Sequence, residues 1–306
     1  MEFNLSNLKV EICGVEFKNP VIAASGTFGF GKEYSKFYDV SILGGISTKG
    51  LTLEKREGNF SPRIAETTSG ILNAVGLQNP GVDYFIGNEL LYLEQLGTAV
   101  IANIAGKSEA DYCKVAAKLS DTSIDMIELN ISCPNVRQGG MAFGTLPESV
   151  LKITKAVKEV SNKPLIVKLS PNTAFISENA KAAEEGGADA VSLINTITAM
   201  AVDINKREPV LANKIGGLSG PCIKPIALKM VYDAYKAVSI PVIGIGGIRN
   251  ASDVVEFMLC GARAVQVGTA NIVNPYACKE IIEGLQKYLI ENNIDDVNSL
   301  VGALKV

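Results

Sequence analysis

Short, almost continuously apolar runs recur along the chain and alternate with stretches of helical periodicity. Such runs are typical of strands buried on both faces. They lie at 21–24, 41–48, 99–104, 126–131, 164–170, 190–194, 241–246 and 264–268. Between most of them the apolar positions repeat with a helical period, for instance at 108–119, 147–160 and 223–238. Eight buried strands with intervening helices predict an α/β fold, the (β/α)8 or TIM barrel.

Three further segments complete this picture. The opening stretch 8–21 predicts a β-hairpin that turns at Cys13 and Gly14 and closes the bottom of the barrel. The connections 50–98 and 195–221 are too long to be simple crossovers, and the first begins with an irregular stretch before a helix at about 82–96. Because both follow strand ends on the catalytic face, we expect binding loops there. No linker interrupts the chain, so residues 1–306 are predicted to form a single domain.

The charge balance excludes several classes of partner. The 306 residues carry a formal net charge of −3, which offers no broad basic surface for nucleic acid. No apolar run approaches the roughly 18–20 residues of a membrane span, and the start lacks the apolar core of a signal peptide. We therefore expect a cytoplasmic protein that binds neither membrane nor nucleic acid.

Cysteine and histidine usage narrows the chemistry. The six cysteines are dispersed without a C-x-x-C pair, a spacing that favours neither disulfides nor a metal or iron–sulfur site in this chain. Histidine is absent, so an imidazole base is excluded. Five of the cysteines are expected to be small core residues: Cys13, Cys113, Cys222, Cys260 and Cys278.

Polar residues interrupt or follow five successive strands near their carboxyl ends. They are Lys49, Asn103, Asn130, Lys168 and Asn195. In a barrel these ends converge, and burying such groups without partners costs several kcal/mol in total. Any single one could bond to another of these groups or to a loop carbonyl, but for all five together a bound ligand is the better explanation. Amides recognise N–H and C=O groups on a planar ring, whereas ammonium groups counter negative charge. Glu128 alternates with Asn130 and could also point inward, but a single carboxylate is weak support for hydrolysis.

Glycines end the last two strands in a pattern that favours phosphate binding. GIGGIRN (244–250) and VGTA (267–270) each lead into a predicted helix. Glycine allows the backbone N–H groups to approach an anion closely, and helix N-termini favour negative charge. The loops after strands seven and eight are also where phosphate commonly binds in these barrels.

Cys133 is the candidate general base. It lies in NISCPNV (130–136), a loop at the catalytic rim, three residues after Asn130. A thiol has a reference pKa of about 8.5, so a site that lowers this pKa can keep the thiol as a thiolate near neutral pH. In a chain without histidine, Cys133 is a leading candidate to accept a proton.

These motifs resemble class 1 dihydroorotate dehydrogenases along nearly the whole chain. The similarity lies in ASGTFGFG (24–31), STKGLTLEKREGNFSPRIAET (47–67), NAVGLQNPG (73–81), ELNISCPNV (128–136), VKLSPN (167–172), LINT (193–196), GGLSGP (216–221), GIGGI (244–248) and VGTA (267–270). The resemblance implies a barrel with one FMN per chain that oxidises (S)-dihydroorotate to orotate in de novo pyrimidine biosynthesis. Cys133 would be its base.

The resemblance also implies a set of site residues. FMN would be held by Ser25, Lys49, Gly50, Asn103, Asn130, Lys168, Ile194, Gly220, Gly246, Gly247, Gly268 and Thr269, with the last four on the phosphate. Dihydroorotate would be bound by Lys49, Asn73, Ala74, Val75, Gly76, Leu77, Asn130, Asn195 and Thr196. Gly50 departs from the threonine more usual after that lysine.

Two features resemble the class 1B branch, which reduces NAD+ through a partner. These are the continuation RQGGMAFGT (137–145) and the position of Lys49 in STKG. The partner would be an iron–sulfur FAD subunit carrying FAD and a [2Fe-2S] cluster, in a heterotetramer of two of each chain.

Four alternatives stay open at this point. The chain could be a fumarate-dependent class 1A enzyme or a barrel of the dihydropyrimidine dehydrogenase type, whose substrates lack the carboxylate that Lys49 would bind. It could be similar to the tRNA dihydrouridine synthases, although these need a basic surface for RNA. It could also be a non-catalytic binding or scaffold barrel, which the intact Cys133 and the rim asparagines argue against.

Overall fold

The computed structural model describes residues 6–131 and 144–305. Eight parallel strands close into a barrel in which each strand pairs with its neighbours in chain order. They are β1 (Val21–Ala23), β2 (Gly45–Ser47), β3 (Ala99–Ile104), β4 (Met126–Asn130), β5 (Leu165–Lys168), β6 (Ala190–Leu193), β7 (Val242–Ile245) and β8 (Ala262–Val267). The predicted (β/α)8 barrel is confirmed.

Helices cover the outside of the barrel. They are α1 (Glu109–Ser120), α2 (Pro147–Lys158), α3 (Ile176–Glu185), α4 (Lys224–Ala237), α5 (Ala251–Leu259) and α6 (Ala277–Glu291). A helix before β3 runs through Val82–Tyr84, a π-helical turn at Phe85–Glu89, and Leu90–Glu94. A short helix, Thr269–Val273, follows β8, and 3-10 turns lie at Tyr34–Lys36, Val40–Ile42, Pro221–Ile223 and Val297–Leu300.

Local sequence signals explain most of these boundaries. Ser108 caps α1 by accepting a hydrogen bond from the Asp111 backbone N–H at 3.2 Å, and the buried residues of the helix recur on one face.

Of the run predicted as a strand at 41–48, only Gly45–Ser47 forms one. The reason is that Asp39 accepts from the Ser41 backbone N–H at 3.0 Å and favours a 3-10 turn in its place.

The predicted hairpin closes the amino-terminal end of the barrel. Val10–Ile12 pairs with Val15–Phe17, and the turn places both Cys13 and Gly14 at positive φ. The Cys13 thiol donates to the carbonyl of Asp189 at 3.1 Å, immediately before β6 begins. The hairpin therefore lies at the opposite end of the barrel from the strands' carboxyl ends.

The two long connections are more regular than predicted, because they pair with each other. Ile64–Thr67 and Gly70–Asn73 form an antiparallel hairpin, and Gly216–Ser219 pairs with Gly70–Asn73 and with Ile197–Ala199. We call these four strands the crossover sheet. The expectation of an irregular stretch after residue 50 was thus wrong for 64–73. Where the two connections pair, the partners lie about 144 residues apart (Asn73 opposite Gly217), so neither segment shows the pairing by itself.

The cysteines outside the catalytic loop divide by environment. Cys278 is fully buried, as expected, and burial raises the pKa of its thiol to about 12. Cys13, Cys113 and Cys260 are partly buried against the core. Cys222 is exposed, so its assignment to the core was wrong: it lies in the surface turn Pro221–Ile223.

Within residues 6–131 and 144–305, no helix has the length and apolar character needed to cross a membrane.

Candidate active site

A cavity of about 500 Å³ opens at the carboxyl ends of the barrel strands and is bounded on one side by the crossover sheet. This volume lies within the range of small-molecule and cofactor sites. Most of the predicted site residues line it: Ser25, Lys49, Gly50, Asn73, Val75, Gly76, Leu77, Asn130, Lys168, Ile194, Asn195, Thr196, Gly220, Gly246, Gly247, Gly268 and Thr269. Residues from distant parts of the sequence therefore meet at one place, as the polar strand ends predicted.

Three glycines at one end of the cavity form a close backbone cradle. Gly220, Gly246 and Gly247 have φ values of 106°, 130° and 77°, a region that disfavours residues with a side chain. A Cβ on Gly246 would lie 2.7 Å from the Ala227 Cβ, and one on Gly247 would lie 2.8 Å from the Lys224 Cβ. The requirement for glycine is therefore both conformational and steric.

The helix after β7 contributes less to this cradle than the sequence suggested. Asn250 caps α5 by accepting from the Asp253 backbone N–H, and the Asp253 carboxylate accepts from the backbone N–H groups of Arg249 and Asn250. Asp253 also pairs with Lys224 at 2.6 Å. A carboxylate thus occupies the N-terminus of α5. After β8, by contrast, Thr269 donates its hydroxyl to Ser219 at 2.8 Å, and both residues line the cavity.

Three asparagine side chains form a hydrogen-bonded chain from the cavity into the barrel. Asn195 donates from Nδ2 to Oδ1 of Asn130 at 3.3 Å, and Asn130 donates in the same way to Asn103 at 3.3 Å. Asn103 donates to Oε2 of Glu128 at 2.6 Å. We call these three residues the amide chain. Asn103 is fully buried and is not among the residues that line the cavity, so it lies one layer below Asn130.

Glu128 is fully buried where the amide chain ends. Side chains from five other strands surround its carboxylate: Ser47 (2.9 Å), Asn103 (2.6 Å), Ser192 (2.8 Å), Gln266 (2.6 Å) and the Lys168 ammonium (3.6 Å). Burial alone would raise the pKa of Glu128. The Lys168 charge and the hydrogen bonds from amide and hydroxyl donors outweigh that effect and hold the pKa below its ordinary value. The carboxylate is therefore an anion near neutral pH.

The segment 73–77 lines the cavity with all of its residues except Ala74. Asn73 donates to the carbonyl of Gly217 at 3.4 Å across the crossover sheet. Ala74 is 1% exposed and packs with Leu72 and Leu211 instead, so its side chain does not line the cavity, and its contact with the substrate stays a prediction. Gly76 has a φ of 79°, and a Cβ there would lie 2.6 Å from the Asn59 side chain.

Lys49 is held at the rim through its backbone. It follows β2, and its backbone N–H donates to the carbonyl of Gly29 at 3.1 Å. The side chain is half-buried and lines the cavity beside Gly50. A Cβ on Gly50 would lie 3.0 Å from Oδ1 of Asn103, which explains why a glycine at this position suits this barrel.

Two residues of the site need a separate account, since one is not described by the structure and the other was not predicted. Cys133 lies outside the described residues, so its role stays a prediction from the sequence. Ser219 was not predicted, although it belongs to the GGLSGP segment (216–221): its hydroxyl meets Thr269 only because the crossover sheet brings residue 219 next to the loop after β8.

Comparison with known proteins places this site in context. The family model described as dihydroorotate dehydrogenase matches residues 7–289. A protein of Alkaliphilus oremlandii is 56% identical over 298 residues, covering 97% of this chain and 99% of its own. One of Thermoanaerobacter pseudethanolicus is 56% identical over 300 residues, covering 98% and 99%. One of Lachnoclostridium phytofermentans is 54% identical over 299 residues, covering 98% and 100%. All three are named dihydroorotate dehydrogenase B (NAD(+)), catalytic subunit.

Proposed function

The chain belongs to the dihydroorotate dehydrogenase family, and from that premise we propose that it is an enzyme that oxidises (S)-dihydroorotate to orotate in de novo pyrimidine biosynthesis. The observation that carries the proposal is the cavity, where Lys49 and the amide-bearing residues Asn73, Asn130 and Asn195 surround one space. A lysine can counter the carboxylate of dihydroorotate, and amides can bind its ring carbonyls and N–H groups. We place this activity in a single cytoplasmic domain.

The donor set fits FMN as the cofactor. Gly246, Gly247, Gly268 and Thr269 would hold the phosphate through backbone N–H groups and a hydroxyl, since a Cβ at Gly246 or Gly247 is excluded. Lys168, 5% exposed at the cavity floor, suits the pyrimidine edge of the ring, where a positive charge stabilises the reduced form. The remaining contacts would come from Ser25, Lys49, Gly50, Asn130, Ile194 and Gly220, with Asn103 one layer below Asn130.

Different residues of this chain would bind the substrate and remove its proton. Lys49 would bind the carboxylate, and Asn73, Val75, Gly76, Leu77, Asn130, Asn195 and Thr196 would fix the ring. Cys133, as a thiolate, would take the proton from the ring carbon beside a carbonyl. FMN, when bound, supplies the acceptor for the hydride that leaves the neighbouring carbon. The electron pair of the C–H bond that loses the proton becomes the ring double bond of orotate, and the pair of the other C–H bond leaves with the hydride.

The first test is the cofactor itself. We expect the purified protein to be yellow and to release one FMN per chain, and no FAD, on denaturation. Dihydroorotate added without oxygen should bleach the flavin absorbance, because the substrate delivers two electrons to it. A protein that stays colourless after reconstitution with FMN would contradict the proposal, and so would a flavin that dihydroorotate leaves oxidised.

We also propose that the electrons leave through a partner protein. The relatives are named catalytic subunits of NAD(+) enzymes. This chain has dispersed cysteines without a C-x-x-C pair, so it lacks the usual ligand spacing of an iron–sulfur relay. The partner proposed here is an FAD and [2Fe-2S] subunit, in a heterotetramer of two of each chain.

The proposal of a partner predicts that the isolated chain uses some electron acceptors but not NAD+. The isolated chain should reduce artificial dyes with dihydroorotate but should fail with NAD+, and adding the partner should restore NAD+ reduction. The measurement is the absorbance of NADH at matched flavin concentration. Rapid NADH formation by the isolated chain would refute the two-protein arrangement. Efficient fumarate reduction without a partner would place the chain in the class 1A branch instead.

A further inference from the structure

Glu128 and Lys168 form an ion pair inside the barrel, below the cavity. Lys168 ends β5 opposite Asn130 in the strand register, and Glu128 lies two residues earlier on β4 and therefore one layer deeper. The distance from the Lys168 Nζ to Oε2 of Glu128 is 3.6 Å. Lys168 is 5% exposed and lines the cavity, whereas Glu128 is fully buried and does not line it. Of the two charges, only the ammonium thus reaches the space proposed for the flavin.

The carboxylate acts on Lys168 through its charge and not through a hydrogen bond, because 3.6 Å exceeds hydrogen-bonding distance. Four neutral side chains donate to the carboxylate instead, at 2.6–2.9 Å: Ser47, Asn103, Ser192 and Gln266. Burial would raise the pKa of Glu128, but Lys168 and these donors hold it below its ordinary value. The negative charge is therefore permanent near neutral pH, and the N–H groups of Lys168 are not committed to it.

We infer that Glu128 tunes the reduction potential of the flavin as the buried counter-ion of Lys168: its charge offsets part of the ammonium's charge and keeps the potential low. The inference rests on the proposed function, which places Lys168 at the pyrimidine edge of FMN. The two electrons that dihydroorotate delivers leave negative charge on the flavin, and a lone ammonium stabilises that charge strongly. NAD+ is a weak oxidant, so electrons held tightly on the flavin do not pass on to it. The carboxylate therefore makes the reduced flavin easier to reoxidise.

Loss of the negative charge should make the flavin easier to reduce. Glu128→Gln keeps the shape of the side chain and removes its charge. We expect the equilibrium constant for two-electron reduction of FMN to rise about tenfold, the order expected for one buried unit charge at an effective dielectric constant of about 20. The measurement is the midpoint potential of the FMN-loaded full chain, equilibrated with a reference dye at about pH 6. Mildly acidic solution favours the charged form of a buried ammonium that has lost its counter-ion.

Lys168→Met tests the other member of the pair. It removes the positive charge, so the equilibrium constant should fall at least tenfold. The double variant leaves no unpaired buried charge, and its constant should lie about tenfold above that of Lys168→Met. This comparison measures the effect of Glu128 even if Glu128→Gln alone does not bind FMN. Lys49 and Arg249 also line the cavity, but their charges are common to all these variants.

Glu128→Asp retains the charge, and its equilibrium constant should stay within about threefold of the parent. The matched control is Glu291→Gln, which removes the same charge from an ion pair of similar length. Glu291 lies 3.7 Å from Lys287 on α6, but both side chains are exposed. Because water and salt screen such charges, the potential should equal that of the parent.

The sign of the change separates electrostatic tuning from a structural defect, since a defect would not move the potential in opposite directions for the two members of one pair. An unchanged or lowered equilibrium constant in Glu128→Gln would overturn the inference. So would a double variant that does not exceed Lys168→Met. A parent protein that binds no FMN would instead refute the proposed function, so the two failures are distinguishable.

Discussion

Reduction of the flavin by dihydroorotate is expected to slow by at least ~10²-fold when Cys133 is replaced by alanine, the usual share of general-base catalysis. The change removes the proposed proton acceptor and little volume, and no histidine elsewhere in the chain can take its place. Fold and FMN content should therefore be retained. Stopped-flow absorbance under anaerobic conditions, with flavin content and circular dichroism measured on the same sample, tests this directly.

The matched control for this variant is Cys113→Ala. Cys113 is a partly buried thiol on α1 and does not line the cavity. Its loss should leave the rate of flavin reduction at the parental value. A Cys133→Ala protein that reduces its flavin at a near-parental rate would assign the base to another residue, whereas equal slowing in both variants would indicate a general effect of cysteine loss.

Orotate binding is expected to weaken by about 2 kcal/mol or more, roughly 30-fold, in Lys49→Ala. The half-buried ammonium lines the cavity and is proposed to pair with the ligand carboxylate in a partly desolvated setting. Uracil has the same ring without the carboxylate, so its affinity should fall much less. Titrations of both ligands, followed by flavin absorbance, give the two dissociation constants.

Lys107→Ala serves as the control for Lys49. Lys107 follows β3 on the same face of the barrel, but it is exposed and does not line the cavity. Its removal changes the net charge equally and should leave both affinities within a factor of about two, since exposed charges are well screened. Equal weakening of orotate and uracil in Lys49→Ala would mean that Lys49 does not recognise the carboxylate.

The barrel and the convergence of polar strand ends were predictable because both follow from local patterns. Each buried strand is a short apolar run, and a polar residue at its carboxyl end stands out against that background. In a closed barrel all such ends meet, so Lys49, Asn130, Lys168 and Asn195 could be placed together without knowledge of any distance.

Other features depend on contacts between distant segments and were not predictable in this way. The crossover sheet pairs Asn73 with Gly217, and no local period in either segment indicates that partner. Ala74 was grouped with its neighbours because a motif does not show which residues of an extended stretch face inward. Glu128 appeared as a single inward carboxylate, and its importance emerged only from the donors that five other strands bring to it.

The crossover sheet has a consequence for how such a site can be altered by design. Loops of a (β/α)8 barrel are commonly treated as separate modules that can be exchanged one at a time. Here the segment after β2 and the segment after β6 share backbone hydrogen bonds, and each carries residues proposed to contact the substrate, Asn73 on one and Thr196 on the other. A graft that replaces only one segment would leave the other without its pairing partner. The two should be transplanted between related barrels as one unit.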